Sequence, residues 1–318
     1  MNDATRRLVL RLKGPLESPG KPALGLEERA GNLRRVTESV LNLPTLPVVA
    51  SRLLQMLDDP NVSCGTFSKA LSEDQALTAR ILKLANSAYY GFPRSIGTVN
   101  LAVVVLGFDT VKDLVLSVAV MDLFRSSRDG RFDIPTFWEH SLRVAAASRR
   151  LARLLRWRAV GESFTAGILH DVGKIVMYQY QPLEFDEMVR RVLEDGVPPL
   201  DAELDVLGAT HTDVGAWLAE KWNLPEGLVE AVRFHHAPAG ASQEHAASAA
   251  LLHLADYLSR RIGFGNGFGP EVRPELHPDA LRILVTEGLI VAESDLADLE
   301  RAIAGDVEKV EGLREAFQ

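Results

Sequence analysis

Eight residues of this chain stand out as candidates for binding a divalent cation or phosphate: His140, His170, Asp171, Lys174, His211, His235, His236 and Asp256. The sharpest segment is GILHDVGKIVM, residues 167–177, where His170 and Asp171 are adjacent and Lys174 follows one helical turn later. An imidazole beside a carboxylate offers nitrogen and oxygen ligands to one divalent metal. Gly173 allows a tight turn or the close approach of another backbone. Lys174 supplies a point charge for a bound phosphate.

The other members sit in suggestive places. His140 stands near the start of FWEHSLRVAAASRRLARLL, His211 opens THTDVGAWLAEKW, and His235 and His236 are adjacent in VRFHHAP. Asp256 interrupts the apolar face of AALLHLADYLSRR, with Leu252 one turn before it. Each also has a plain reading. His140 and His211 suit helix caps or exposed positions. His235 and His236 precede Pro238, at a helix end where a cationic imidazole complements the dipole. Asp256 suits an i, i+4 pair with Arg260. A His-Asp pair in an apolar helix suits a hydrogen-bonded core contact. The order His, His-Asp, His, His-His, Asp on successive helices favours a shared site over so many separate accidents. His245 and His277 read as loop residues and His253 as a helix-face residue.

The elements that must position these residues are helical. VVASRLLQMLDDP repeats Val49, Leu53, Met56 and Leu57 near a 3.6-residue period, behind Pro44 and Pro47 and before Pro60. ALTARILKLANSAYYGFP puts Leu77, Ile81, Leu84 and Ala85 on one face, and Gly91 and Pro93 are expected to end it. TVNLAVVVLGFDTVKDLVLSVAVMDLF predicts two helices parted near Gly107. The polar stretch RSSRDGRFDIP, residues 125–135, is the best interdomain boundary. The expected organisation is an arm over 1–35, an N-terminal helical lobe over 36–125, a metal-site lobe over 131–262, and a loop with a small C-terminal helical extension over 263–318. The fold class is all-α and bilobed. GFGNGFGP reads as a loop and not a phosphate fingerprint, because it follows a helix and ends at Pro270.

Composition narrows the function classes. The 318 residues are 47% hydrophobic and 25% charged, which suits a globular protein and excludes a largely disordered chain. The net charge of −8 argues against a nucleic-acid binder. The arm holds eight basic and four acidic residues and reads as a solvated tail, with an acidic partner as the alternative. Cys64 alone allows no intrachain disulfide, which suits a reducing, cytoplasmic setting. The longest uncharged apolar-rich run, between Arg94 and Asp109, holds 14 residues, short of the roughly 18 a membrane span needs. Tyr89 and Tyr90 read as core or interface residues in preference to base-stacking ones.

The ordered set resembles the HD superfamily of metal-dependent phosphohydrolases, an all-α fold. That resemblance implies a site in which Asp171 bridges two metals. His140, His170 and Asp256 would hold one, and His211, His235 and His236 the other. LPTLPVVASRLLQMLDDP, NSAYYGFP, LGFDTVKDL, AGILHDVGK and HTDVGAWLAEKWNLPEGLVEAVRFHH are together more similar to the HDOD domain, a relative used as a signalling output module. This similarity runs from about residue 40 to about residue 260. The chain departs from the HD-GYP phosphodiesterases. APAGAS follows His236, with no acidic residue and no Gly-Tyr-Pro, and Thr136 stands where such enzymes can carry a carboxylate. Glu139 lies on a different helix face.

The resemblance therefore implies a regulatory module with a retained site for one or two divalent ions (iron, manganese, zinc or nickel), acting through contact with a protein partner in a signalling pathway. The alternative is a phosphohydrolase acting on a nucleotide or cyclic dinucleotide, with Asp171 and Lys174 in catalytic roles. A phosphate-containing small molecule is the second partner class; a membrane is not expected. An open coordination position beside a phosphate-sized cavity favours the enzyme, and a plugged cleft favours the module.

Overall fold

The computed structural model describes residues 45–57, 62–124, 132–157, 160–262, 274–289 and 295–310, with isolated positions 31, 35, 38 and 313. The expected arm over 1–35 falls outside these residues except at positions 31 and 35, as do GFGNGFGP and most of the 125–135 boundary. Every regular element among the described residues is helical and none is a strand.

The first group of helices is α1 (Val48–Leu57), α2 (Cys64–Ser72), α3 (Gln75–Ala85), α4 (Val99–Leu106) and α5 (Phe108–Leu123). Side-chain caps set their starts. Ser63 accepts from the Thr66 N–H at 3.1 Å and Asp74 from the Leu77 N–H at 2.9 Å. Gly107, at φ 84°, parts α4 from α5 at the expected position. Leu77, Ile81, Leu84 and Ala85 are buried as the period requires. Helix α3 nevertheless ends at Ala85, well before Gly91 and Pro93. The Asn86 side chain accepts from the Ile96 N–H at 2.7 Å and donates to the Ile96 carbonyl at 2.9 Å. This side-chain clamp turns the chain before the glycine is reached.

The second group comprises α6 (Ile134–Leu154), α7 (Val160–Leu169), α8 (Val172–Tyr180), α9 (Pro182–Glu194), α10 (Pro199–Leu207), α11 (His211–Lys221), α12 (Glu226–Phe234), a short 3-10 turn (Pro238–Gly240) and α13 (Ala246–Arg261). The C-terminal extension is α14 (Pro278–Thr286), packed on α13, and α15 (Asp295–Glu308), packed on α6. Helix α6 is the central strut, buried along most of its length between α7, α13 and α15.

One apolar core runs from Leu46 to Leu313. Helix α5 packs on α7, so the two groups share this core. A buried polar knot crosses the same junction. Asp113 of α5 accepts from Arg149 of α6 at 3.1 Å and from the Thr165 hydroxyl of α7 at 2.6 Å. Arg149 also lies 3.9 Å from the Phe164 ring centroid and donates to the Tyr90 hydroxyl. Tyr89 and Tyr90 belong to this knot, in keeping with the core reading.

Candidate metal centre

The His-Asp doublet sits at a joint between two helices. Helix α7 ends at Leu169 and α8 begins at Val172, so His170 and Asp171 occupy the turn between them. Asp171 is the N-cap of α8, yet its carboxylate makes no capping bond and points instead into the protein. Two glycines permit this geometry. A Cβ on Gly173 would stand 2.0 Å from the His211 carbonyl oxygen, and one on Gly167 would stand 2.3 Å from Ala145 Cα. The backbones of α8 and α11, and of α7 and α6, therefore meet at distances only glycine allows.

Around this joint the chain gathers seven predicted ligands in two sets. Asp171, His211, His235 and His236 form one set; His140, His170 and Asp256 form the other. Within each set the ligand atoms lie within 4.8 Å of one another. His211 is the first residue of α11, His235 caps α12, and His140 and Asp256 face each other from α6 and α13. Asp171 stands between the sets, with Oδ1 3.1 Å from His211 Nε2 and Oδ2 3.3 Å from His170 Nε2. All but His236 are buried, and His236 is half-buried.

The Nε2 atoms of His140, His170, His211 and His235, and Oδ1 of Asp171, are buried with no hydrogen-bond partner. His140 Nε2 approaches Asp256 Oδ1 to 3.1 Å and His211 Nε2 approaches Asp171 Oδ1 to 3.1 Å, without the alignment of a hydrogen bond. Leaving several such atoms unmatched in a core is costly. The opposite ring nitrogens of His170, His211 and His235 are engaged, whereas His140 Nδ1 is also buried without a partner. His170 Nδ1 donates to the Gly167 carbonyl and His235 Nδ1 to the Val232 carbonyl, each at 2.8 Å. These bonds fix the tautomer that turns the Nε2 lone pair inward, the usual arrangement of metal-binding histidines. The mixed nitrogen and oxygen set, without thiolate, suits a first-row divalent ion. The residues fit the group.

The electrostatics agree. Burial pushes the His235 and His236 imidazoles well below their ordinary range, and neighbouring histidines add to this. Burial also lowers His140. Burial therefore favours the neutral rings over the cationic reading of His235 and His236 at the end of α12. Burial alone would raise Asp171, but His170, Lys174 and His211 outweigh it and hold the carboxyl well below its usual range. Asp256 is held low in the same sense by Arg260 and His140, against its burial. The expected Asp256–Arg260 pair exists, at 3.0 Å, alongside the approach of His140 to the same oxygen. Lys174 is buried, with Nζ 2.6 Å from Asp171 Oδ2.

Two residues that sequence reasoning did not select support the set. Glu203 of α10 accepts from the His211 N–H at 2.7 Å and from His211 Nδ1 at 2.8 Å. Its only sequence signal is an acidic residue among the apolar positions of α10. His253, read as a helix-face residue, is buried: its Nδ1 donates to the His235 carbonyl at 2.7 Å, and its Nε2 accepts from the His277 N–H at 2.8 Å. His277 caps α14 by accepting from the Asp279 N–H at 3.2 Å.

A cavity of about 590 Å³ opens beside the site, and Lys174, His211, His236 and Asp256 form part of its wall.

The HDOD domain profile matches residues 43–238. The chain belongs to the HDOD family. The match stops before α13, so Asp256 and His253 come from beyond it. An HDOD domain protein of unknown function from Geobacter sulfurreducens is 30% identical, with a TM-score of 0.71 over 87% of this chain and 98% of that one. A structure from Shewanella amazonensis titled "Putative phosphohydrolase" is 27% identical, with a TM-score of 0.68 over 88% of this chain and 97% of that one. An uncharacterized protein of Treponema pallidum is 28% identical over 74% of this chain. The matched region spans 45% of that relative's length. No helix among the described residues is long and apolar enough to cross a membrane.

Proposed function

We propose that this HDOD protein holds two divalent cations in its paired His and Asp sets and hydrolyses a phosphoester in the adjoining cavity. The observation that carries this reading is the shared wall: Lys174, His211, His236 and Asp256 face both the ligand cluster and the 590 Å³ cavity. Of the seven candidate ligands, His211, His236 and Asp256 line that cavity.

His140, His170 and Asp256 would hold one ion, and His211, His235 and His236 the other, with Asp171 between them. A bound pair of cations supplies a water activated at neutral pH and a clamp for phosphate oxygens. The chain does the rest. Lys174 neutralises Asp171 and presents positive charge to the negative charge that grows on the phosphate. Glu203 orients His211. The carbonyls of Gly167 and Val232 keep His170 and His235 in the tautomers that ligate. The Arg260 guanidinium holds Asp256 ionised.

A second reading keeps the metal and drops the turnover: a regulatory module that acts by contact with a signalling partner. It is favoured by α4, whose Leu101, Val104 and Val105 stand exposed on a part of the family domain that carries no site residue. The deciding experiment is elemental analysis of chain purified without chelator, paired with hydrolysis of a generic phosphodiester and of cyclic di-GMP. Close to two metals per chain, with turnover lost in Asp171→Ala, supports the hydrolase. Metal without turnover of any phosphoester supports the contact module.

A further inference from the structure

The cavity beside the metal set has two unlike sides. One is ionic, formed by Lys174, His211, Glu203 and Asp256. The other is aliphatic. It comes from α9, the turn that follows it and the start of α10, with Met188, Val192, Leu193, Val197, Pro199 and Leu200. These residues belong to no ligand set, and none donates a side-chain hydrogen bond.

Resting on the hydrolase reading, we infer that the substrate is a phosphate ester of an aliphatic alcohol, with its phosphate at the metal set and its chain along the α9 wall. Three features lead there. First, a nucleobase laid on this wall would bury ring nitrogens and amino groups against methyl groups, and unmatched polar groups are costly to bury. An alkyl chain has none. Second, the only aromatic ring on the described lining is that of Tyr257, outside the histidines, so a base has little to stack on. Third, the charged lining beyond the histidines is Lys174 and Arg260 against Asp201, Glu203, Asp256 and Glu275. Lys174 is paired with Asp171 and Arg260 with Asp256. Away from the ligand sets the lining therefore offers a polyphosphate no further cation beyond these two paired ones. The volume suits a ligand of drug size.

The reaction balances with water alone. A water oxygen forms a bond to phosphorus, the bond from phosphorus to the alkyl oxygen breaks, and the alcohol leaves with a proton from that water.

The test uses the full chain loaded with manganese. Phosphate release is measured on decyl phosphate, methyl phosphate and adenosine 5′-monophosphate. Binding of decylphosphonate and methylphosphonate, which cannot be hydrolysed, is measured by calorimetry. The expected result is a kcat/KM for decyl phosphate at least about tenfold above that for each of the other two, the scale a hydrophobic pocket gives. Decylphosphonate is expected to bind at least about tenfold tighter than methylphosphonate on the same ground. Leu193→Asp, at a rim position that is 40% exposed, should remove both preferences in a chain whose circular dichroism is unchanged. Preference in binding with no turnover of any ester would overturn the hydrolase reading and keep the ligand class. Turnover without chain-length preference, or with adenosine 5′-monophosphate as the better substrate, would overturn the ligand class and keep hydrolysis. Equal binding of the two phosphonates with no turnover would overturn both.

Discussion

Glu203 grips His211 twice, accepting from its backbone N–H at 2.7 Å and from its ring Nδ1 at 2.8 Å. The backbone bond places the first turn of α11 and the ring bond turns Nε2 toward Asp171. Glu203 also raises His211, against the effect of burial. Replacing Glu203 by Gln keeps the shape and removes the charge. Metal affinity at the Asp171, His211, His235, His236 set should fall by about 10–100-fold, the usual loss when such a partner is removed. Competition with a fluorescent chelator measures this; an unchanged affinity would show that His211 needs no orienting partner.

Asp171 stands between the two ligand sets, so its loss should be felt by both. Asp171→Ala is expected to purify with metal at neither set while keeping a native circular dichroism spectrum. Retained metal stoichiometry in the folded variant would sink the site assignment.

His253 ties the histidine and aspartate cluster to the C-terminal extension, because it binds the His235 carbonyl on one side and the His277 N–H on the other. His253→Ala should weaken metal binding, by roughly the tenfold lower end of the range for orienting partners. His253→Asn retains a donor for the His235 carbonyl and should recover much of the loss. If Ala and Asn behave alike, the bond to His235 is not the cause.

Gly173 has no room for a methyl group, with the His211 carbonyl 2.0 Å from the position of a Cβ. The obstacle is backbone held by helix packing, so it cannot swing aside. Gly173→Ala should lower stability by about 3 kcal/mol, at the upper end for overpacking. Urea denaturation of the metal-free chain provides the measurement. A change below about 1 kcal/mol would mean that α8 and α11 separate easily.

The metal-free chain should lose stability as pH falls through 6.5. His235 and His236 are held well below that ordinary value when folded and regain it on unfolding. Below pH 6.5 the unfolded chain therefore binds more protons, and stability rises with pH across this window. His140 and His253 shift in the same direction. His211, which is raised, opposes them. Each lowered histidine contributes up to about 1.4 kcal/mol per pH unit. Thermal melts in chelator between pH 7.5 and 5.5 test this, and bound metal should steepen the dependence because ligation requires neutral rings. A flat melting temperature would contradict the neutral assignment.

Much of this protein is local and can be read from the chain. The period of Leu77, Ile81, Leu84 and Ala85, the break at Gly107 and the capping residues act within a few positions, so helix content and several boundaries follow from sequence. The ligand order was also legible, because few other roles place histidine and aspartate so regularly on successive helices. Other features required contacts that spacing does not encode. Helix α3 stops at Ala85 because Asn86 reaches Ile96 across a loop. Glu203 reaches His211 because α10 folds back against the start of α11, and His253 reaches His235 and His277 because α13 packs beside α12 and α14. The aliphatic wall on α9 has the ordinary pattern of a core helix. Only tertiary packing leaves it facing a cavity beside the metal set. The sequence by itself determined which side chains were present to bind a metal and in what order. The tertiary structure decided which of their atoms are turned inward without partners, and what shape of ligand can reach them.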